Sequence, residues 1–211
     1  MLFKVLDGEG RACHGGSLKW PLPTKGKNGK WKPGKWVEVE GKLIPCKNGL
    51  HLCRPQDLCQ WLNETIYEAE VEGEQIIHED KVVARKARLL RKMEKWTKKT
   101  ARLFACECAE RVLPIFEKEC RVDKRLRRAI ETARKFANGR ASKEDLAAAR
   151  AAAGAAERGT QAWAAALAVS GAVSGDAARA AERGIQAMAA AWAAERKWQT
   201  DRLLEILGVE D

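Results

Sequence analysis

The sequence lacks the short glycine-containing motifs that mark several large enzyme classes. It contains no GxSxG, GxxxxGK[ST] or GxGxxG pattern. It therefore does not indicate a serine hydrolase with a nucleophile elbow, a P-loop nucleotidase or a Rossmann dinucleotide-binding protein. The segment "DGEGRACHGG" (residues 7–16) is rich in glycine but has the wrong spacing for such a fingerprint. The absence of a strong catalytic constellation favours a binding protein over an enzyme, although it does not settle the choice.

Two further absences concern location and redox state. No run of about 18 apolar residues is present, so no membrane-spanning helix is expected. The start, "MLFKVLDGEG", has neither a long apolar core nor a small-residue cleavage site. A signal peptide is therefore not expected, and a cytoplasmic location is predicted. The 7 cysteines form no even set and no CxxC pair, which favours free thiols over disulfides in a reducing compartment.

Positive charge is in excess. The chain has 39 Lys and Arg against 29 Asp and Glu, a formal net charge of +10. Such an excess favours an anionic partner, whether nucleic acid, a nucleotide or an acidic protein surface. It does not choose among them, and solubility alone would also account for it.

The first part of the chain, residues 1–90, is predicted to be a small β-rich domain with one short helix. Apolar and polar residues alternate in "KWVEVEG" (35–41) and "TIYEAEVEGE" (65–74), as in half-buried strands. Between these runs, "GLHLC" (49–53) reads as a short strand and "RPQDLCQWLNE" (54–64) as a short helix.

The remainder, residues 91–211, is predicted to be an alanine-rich, all-helical bundle of about four or five helices. Gly139 is a candidate stop for one helix, and Ser142 with Asp145 resembles a capping box that starts the next. The last helix is expected to end near Leu207. The fold class is therefore α+β.

The segment "CKNGLHLC" (46–53) combines two thiols with one of only 3 histidines. We interpret it as a turn at Asn48 and Gly49 that leads into a strand, on which His51 and Cys53 share one face. His51 is then the residue expected to face a pocket. A zinc site would draw on Cys13, Cys46, His51 and Cys53, with His14 and Cys59 as further candidates. The spacing is that of no common zinc module, so no metal is assigned and buried thiols are favoured.

Two stretches concentrate basic residues. Residues 25–36 interleave five lysines with Trp31 and Trp36, and residues 80–102 carry ten basic against two acidic residues. The second stretch reads as a strand followed by a helix. Lysines pair with phosphates and tryptophans stack on bases, so either nucleic acid or an acidic protein could bind here. A solvated basic face is the alternative. The candidate contact residues are Lys27, Lys30, Trp31, Lys32, Lys35, Arg85, Arg88, Arg91, Lys92 and Lys95.

Three segments of the second half carry a family resemblance: "LFACECAERVLPIFEKE", "RRAIETARKFANG" and "ERKWQTDRLLEIL". Together they resemble immunity proteins associated with bacterial polymorphic toxins. The resemblance implies a non-enzymatic protein of immunity or phage anti-defence type, which binds and inhibits a toxin, nuclease or defence protein. It names no catalytic residue. The exposed small faces of alanine-rich helices could also form a dimer interface.

The first half, with "KVLDGEGRACHGG", "PCKNGLHLC" and "YEAEVEGE", resembles uncharacterised phage and bacterial domains and also looks like an ADP-ribosyltransferase. The latter resemblance implies that His14 and Gly15 match a His-Gly motif that binds the nicotinamide-ribose end of NAD. It also places His51 at an aromatic position, and Glu79 or Asp80 near the position of the catalytic glutamate. The ligand-binding residues implied are His14, Gly15, Gly16 and His51, without an assigned cofactor.

Overall fold

The computed structural model describes residues 1–13, 16, 18–119, 124–157 and 189–209. The chain forms two compact units, one comprising Met1–Trp96 with Leu204–Asp211 and the other comprising Thr97–Leu203. The first unit is built on an antiparallel sheet and the second on helices, which confirms the α+β class.

Seven strands are present among the described residues of the first unit. They are β1 (Leu2–Leu6), β2 (Thr24–Lys25), β3 (Trp31–Lys32), β4 (Val37–Glu38), β5 (Leu50–Leu52), β6 (Thr65–Ile77) and β7 (Val82–Lys92). The main sheet runs in the order β1-β6-β7, and both β4 and β5 pair with the free edge of β7. Strands β2 and β3 form a separate small hairpin. All of these pairings are antiparallel.

The long hairpin of β6 and β7 organises the core of this unit. Along β6, Tyr67 and Ala69 are buried, whereas Glu68 and Glu70 on the other face pair with arginines of β7. This alternation was predicted, because one face of an antiparallel sheet can be solvated. The core beneath the hairpin comprises Leu6, Trp20, Leu50, Leu52, Tyr67, Ala69, Ala84, Ala87 and Leu89.

Two predicted elements of this unit are shorter than expected. The strand predicted over 35–41 is limited to Val37–Glu38, although the amide of Val39 still donates to the carbonyl of Arg85 at 3.0 Å. The predicted helix over 54–64 is a 3-10 helix at Pro55–Gln60. Its N-cap residue, Arg54, makes no side-chain cap. Short uncapped segments that begin with proline suit a 3-10 turn better than a full α-helix.

Four helices are described in the chain: α1 (Lys98–Glu119), α2 (Arg125–Ala137), α3 (Lys143–Glu157) and α4 (Ala189–Leu207). Helix α1 continues through Pro114. In α2 the buried residues are Leu126, Ala129, Ile130 and Ala133, which recur at helical spacing. None of the described helices is both long enough and apolar enough to cross a membrane.

The predicted helix boundaries around the α2–α3 connection are confirmed. Gly139 has φ +70°, and the amide of Arg140 donates to the carbonyl of Lys135 at 2.8 Å, which closes a Schellman motif. The amide of Asp145 donates to Ser142 Oγ at 3.0 Å, and the amide of Ser142 donates to Asp145 Oδ2 at 2.8 Å. This reciprocal pair is a capping box in which aspartate replaces glutamate.

Ion pairs join α1 to α4 within the helical unit. Arg202 Nε donates to Glu107 Oε2 at 2.6 Å, and Arg111 Nε donates to Glu195 Oε2 at 2.6 Å. The guanidinium of Arg111 also lies 4.2 Å from the centre of the Trp198 ring. Trp198 is half-buried, and through Arg111 it contributes to the contact between α1 and α4.

Candidate functional site

The sheet unit contains a cavity of about 270 Å³ that gathers residues from distant segments. Among the residues that line it are Lys4 of β1, His51 of β5 and Lys81, which directly precedes β7. Four of the residues singled out in the sequence also line it: Cys13, Gly16, Cys46 and Cys53. His14 and Gly15, implied by the transferase resemblance, lie outside the described residues.

A tight turn before β5 forms one wall of the cavity. The turn occupies residues 45–47 and is closed by a bridge between Ile44 and Asn48. The prediction that the turn lies at Asn48 and Gly49 was therefore wrong, because the turn directly precedes these two residues. Asn48 instead anchors the loop, because its side-chain amide donates to the carbonyls of Glu40 at 2.7 Å and Lys42 at 3.0 Å.

His51 braces this turn. Its Nε2 accepts a hydrogen bond from the amide of Cys46 at 3.0 Å, and Cys46 is held at φ +63°, which is unusual for a residue other than glycine. Burial, together with the charges of Lys4 and Lys81, lowers the pKa of His51 below its usual value. The ring is therefore neutral near pH 7, with Nε2 serving as an acceptor.

Lys4 supplies a positive charge to the cavity from β1. Its ammonium donates to the backbone carbonyl of His51 at 2.8 Å and lies 5.3 Å from the centre of the Trp20 ring. Burial lowers the pKa of this amine, and the nearby Cys53 and Cys13 thiols oppose that effect. Lys4 forms no ion pair with any carboxylate in the described part of the chain.

Lys81 supplies a second positive charge. Its ammonium lies 3.1 Å from Asp80 Oδ1 and 5.1 Å from the centre of the Trp61 ring. Although burial acts to lower the pKa of Lys81, the Asp80 carboxylate raises it. Asp80 also pairs with His78 Nδ1 at 2.9 Å. Asp80, one of the two carboxylates that the transferase resemblance singled out, thus already has two partners.

The thiols of the cavity differ in reactivity. Burial raises the pKa of Cys53 to about 12, and it also raises the pKa of Cys13. Cys46 is exposed, so the expectation of buried thiols was wrong for this residue. No cluster of three or more His, Cys, Asp or Glu side chains suited to a metal ion occurs among the described residues.

The basic residues predicted on β7 are largely neutralised by β6. Arg85 pairs with Glu74 at 2.5 Å and Arg91 pairs with Glu68 at 2.5 Å. Arg88 pairs with Glu70, and its guanidinium lies 4.6 Å from the centre of the Trp36 ring. A carboxylate from the neighbouring strand thus faces each of the three arginines, which leaves little unbalanced charge for a partner.

The remaining predicted basic residues lie around the β2–β3 hairpin and after β7. Trp31 is half-buried, and the ammonium of Lys25 lies 5.7 Å from the centre of its ring and 2.5 Å from Glu94. Lys92 is also half-buried. The exposed members of the set are Lys27, Lys30, Lys32, Lys35 and Lys95.

The helical unit contains a basic groove that the sequence analysis missed. Its volume is about 530 Å³, and it runs between α2 and α3. Four cationic side chains line it, together with the carboxylate of Asp145 and a row of alanines. The cationic residues are Arg125, Arg128, Lys135 and Arg140. We call this feature the α2–α3 groove.

Other arginines of α2 are neutralised by α1. Arg127 makes two hydrogen bonds to the Glu117 carboxylate, at 2.9 and 2.6 Å. Arg134 reaches Glu110 in the same two-pronged way, at 3.3 and 2.7 Å. The helical repeat puts the groove-lining residues of α2 on a different face from the arginines that pair with α1. Residues 125, 128, 132 and 135 share one face because they are spaced at i, i+3, i+7 and i+10. That spacing was the available signal for the groove.

A comparison with protein families matches the second half of the chain to one family. The family described as "Imm-5 like putative immunity protein" matches residues 91–206, which is more than half of the chain. The chain belongs to this family. The immunity resemblance of the second half is thereby confirmed.

Residues 20–100 match a domain of unknown function, DUF7666. This match gives no support to the ADP-ribosyltransferase resemblance. No curated protein and no solved structure matched the chain. The comparisons also give no support to nucleic acid or to a second copy of the chain as a partner.

Proposed function

We propose that this protein is a non-enzymatic immunity protein that neutralises a toxin by binding it through the α2–α3 groove. Membership of the immunity family, which spans all four described helices in part or in full, is the observation that supports this function. The groove is the surface that we assign to the partner, and it is contained within the helical unit.

Unbalanced charge is the first argument for the groove. Arg128, Lys135 and Arg140 are exposed, and none of them forms an ion pair with a residue that the structure describes. The one carboxylate in the groove, that of Asp145, is held by the Ser142 amide. An anionic partner surface would therefore meet several cations, at a low cost in broken ion pairs.

The floor of the groove is the second argument. It is formed by small side chains such as Ala129 and Ala149, which allow another backbone to approach closely. Cationic residues around a small-residue floor suit an acidic segment of a protein, which could place carboxylates against the arginines. Arginine forks match carboxylates in a bidentate manner. The complementary partner is therefore an acidic protein surface.

The test uses the proteins encoded by the two genes that flank the gene for this chain. Each is expressed in a bacterial host alone and together with this chain. We expect one of them to stop growth, the full chain to restore growth, and the two proteins to co-purify. If neither product is toxic, or if rescue occurs without a stable complex, the proposed function is wrong.

A charge-reversal pair tests the groove itself. Arg128→Glu with Lys135→Glu should raise the dissociation constant of the complex by about 100-fold, since a desolvated ion pair contributes about 1–2 kcal/mol. The matched control is Lys143→Glu with Arg150→Glu. Lys143 and Arg150 are likewise exposed, but they lie on α3 and do not line the groove. Equal losses in both variants would show a general charge effect and would refute the groove as the docking site.

A further inference from the structure

The cavity of the sheet unit has a one-sided charge. Lys4, Lys47 and Lys81 line it, whereas no Asp or Glu is among the described residues that do so. Asp80 reaches Lys81 from outside this lining. A cavity walled by ammonium groups without carboxylates has a positive potential, and low-dielectric walls strengthen it.

Lys4 has no carboxylate partner among the described residues. Its partners are a backbone carbonyl at 2.8 Å and the face of Trp20, rather than a carboxylate. A partly buried ammonium without a counter-ion is costly, so an anion that enters the cavity would recover part of that cost. Packing alone does not require a lysine at position 4, since a neutral polar residue could donate a hydrogen bond to the same carbonyl.

Part of the cavity lining is apolar. Val5, Leu52 and the half-buried Trp61 contribute to it, and the Lys81 ammonium lies 5.1 Å from the centre of the Trp61 ring. The volume of about 270 Å³ lies just below the usual range of about 300–1,000 Å³ for small-molecule sites. A whole dinucleotide is therefore larger than this cavity suits.

From this arrangement we infer that the cavity binds a small organic oxyanion, a carboxylate or a phosphate ester attached to a compact planar group. The oxyanion contacts Lys4 and Lys81, and the planar group stacks against Trp61. This site is separate from the α2–α3 groove, and its occupancy does not depend on the toxin.

Cys46 provides a direct reporter of occupancy. It is exposed and lines the cavity, whereas the raised pKa values of Cys13 and Cys53 make those thiols slow to react. The rate of Cys46 alkylation by iodoacetamide, followed by peptide mass spectrometry, is measured against rising benzoate, inorganic phosphate or benzamide. Benzamide is the neutral isostere of benzoate and tests the requirement for charge.

We expect saturable protection of Cys46 by benzoate, by phosphate or by both, and none by benzamide. Protection by benzoate alone assigns a carboxylate ligand, and protection by phosphate alone assigns a phosphate ester. Lys4→Gln should weaken protection by about 10–100-fold, since charge-assisted hydrogen bonds contribute about 1.5–3 kcal/mol. Lys42→Gln, at an exposed lysine outside the cavity, should not change it.

Three results would overturn the inference. They are the absence of protection by either anion at tens of millimolar, equal protection by benzamide, and equal protection in the lysine variants. If Lys4→Gln fails to fold, Lys81→Gln carries the same comparison, because the side chain of Lys81 lies at the same cavity. The comparison of benzoate with benzamide uses the unaltered protein and so stands regardless of either variant.

Discussion

Gly49 lies where the cavity wall meets the sheet, and its replacement by alanine should be strongly destabilising. Gly49 has φ +145°, which side-chain-bearing residues rarely adopt. A Cβ built there would lie 2.2 Å from Val83 Cγ1 on the neighbouring strand. The backbone strain costs about 1–3 kcal/mol, and the overpacking costs about 1–3 kcal/mol. Gly49→Ala should therefore reduce the free energy of unfolding by about 2–6 kcal/mol.

The steric part of this cost can be isolated by a double-mutant cycle. Val83→Ala removes the clashing Cγ1, after which the nearest atoms to the new Cβ are Leu43 Cδ2 at 3.4 Å and residue 83 Cβ at 3.7 Å. Both are ordinary contact distances. Val83→Ala alone should cost about 2–3 kcal/mol, because Val83 is fully buried. The double variant should be about 1–3 kcal/mol more stable than the sum of the single effects predicts.

Urea unfolding, followed by pulsed hydrogen–deuterium exchange of peptides from β5 and β7, measures the sheet separately from the helices. Gly29→Ala is the matched control. Gly29 also has a positive φ, +77°, but a Cβ there meets nothing within 4 Å. Its cost should be about 1 kcal/mol, from the backbone alone. Additive effects of Gly49→Ala and Val83→Ala would refute the proposed clash.

Two further predictions concern Asp80 in the sheet unit and Gly139 in the helical unit. Although burial acts to raise the pKa of Asp80, hydrogen bonds from Lys81 and His78 lower it. The stability that Asp80 contributes is therefore present above its unfolded-state pKa of about 4 and is lost as pH falls through the lower folded-state value. Urea midpoints between pH 2 and pH 6 should show a smaller acid loss in Asp80→Asn than in the unaltered chain. In the helical unit, Gly139 has φ +70° with open space around it. Gly139→Ala should cost about 1 kcal/mol, and Gly139→Asn should cost less, because asparagine tolerates that backbone region better; equal costs in thermal unfolding would contradict this reason.

Much of the fold was predictable because its signals are local. The capping box of Ser142 and Asp145 and the stop at Gly139 depend on neighbours within a few residues, and both were identified in the sequence. The alternation along β6 was equally clear. The exact position of the turn before β5 was not predictable from local residue types. It depends on the hydrogen bond from Cys46 to His51 and on the hydrogen bonds from the Asn48 side chain to the carbonyls of Glu40 and Lys42.

The cavity shows the same division. The sequence singled out Cys13, Cys46 and His51 because thiols and histidines are few, and the fold brings these residues together. It did not indicate Lys4, and it included Lys81 only as one member of the basic stretch 80–102, since lysines are abundant and nothing local distinguishes these two. Their roles arise from sheet pairing, which places β1, β5 and the start of β7 around one space. A search based on composition favours rare residue types such as cysteine and histidine. It overlooks common residues such as lysine that the fold places at a cavity.

Charge density in the sequence does not by itself identify a surface with unbalanced charge. The stretch around β7 is the most basic in the sequence, yet a glutamate of β6 faces each of Arg85, Arg88 and Arg91. When acidic residues alternate along one strand and basic residues alternate along its partner, cross-strand pairing places the opposite charges next to each other on one face. On α2, by contrast, helical geometry turns Arg128 and Lys135 away from the α1 carboxylates. The surface proposed for an anionic partner is therefore a face whose basic residues no neighbouring acidic element shares, rather than the stretch where basic residues are most numerous.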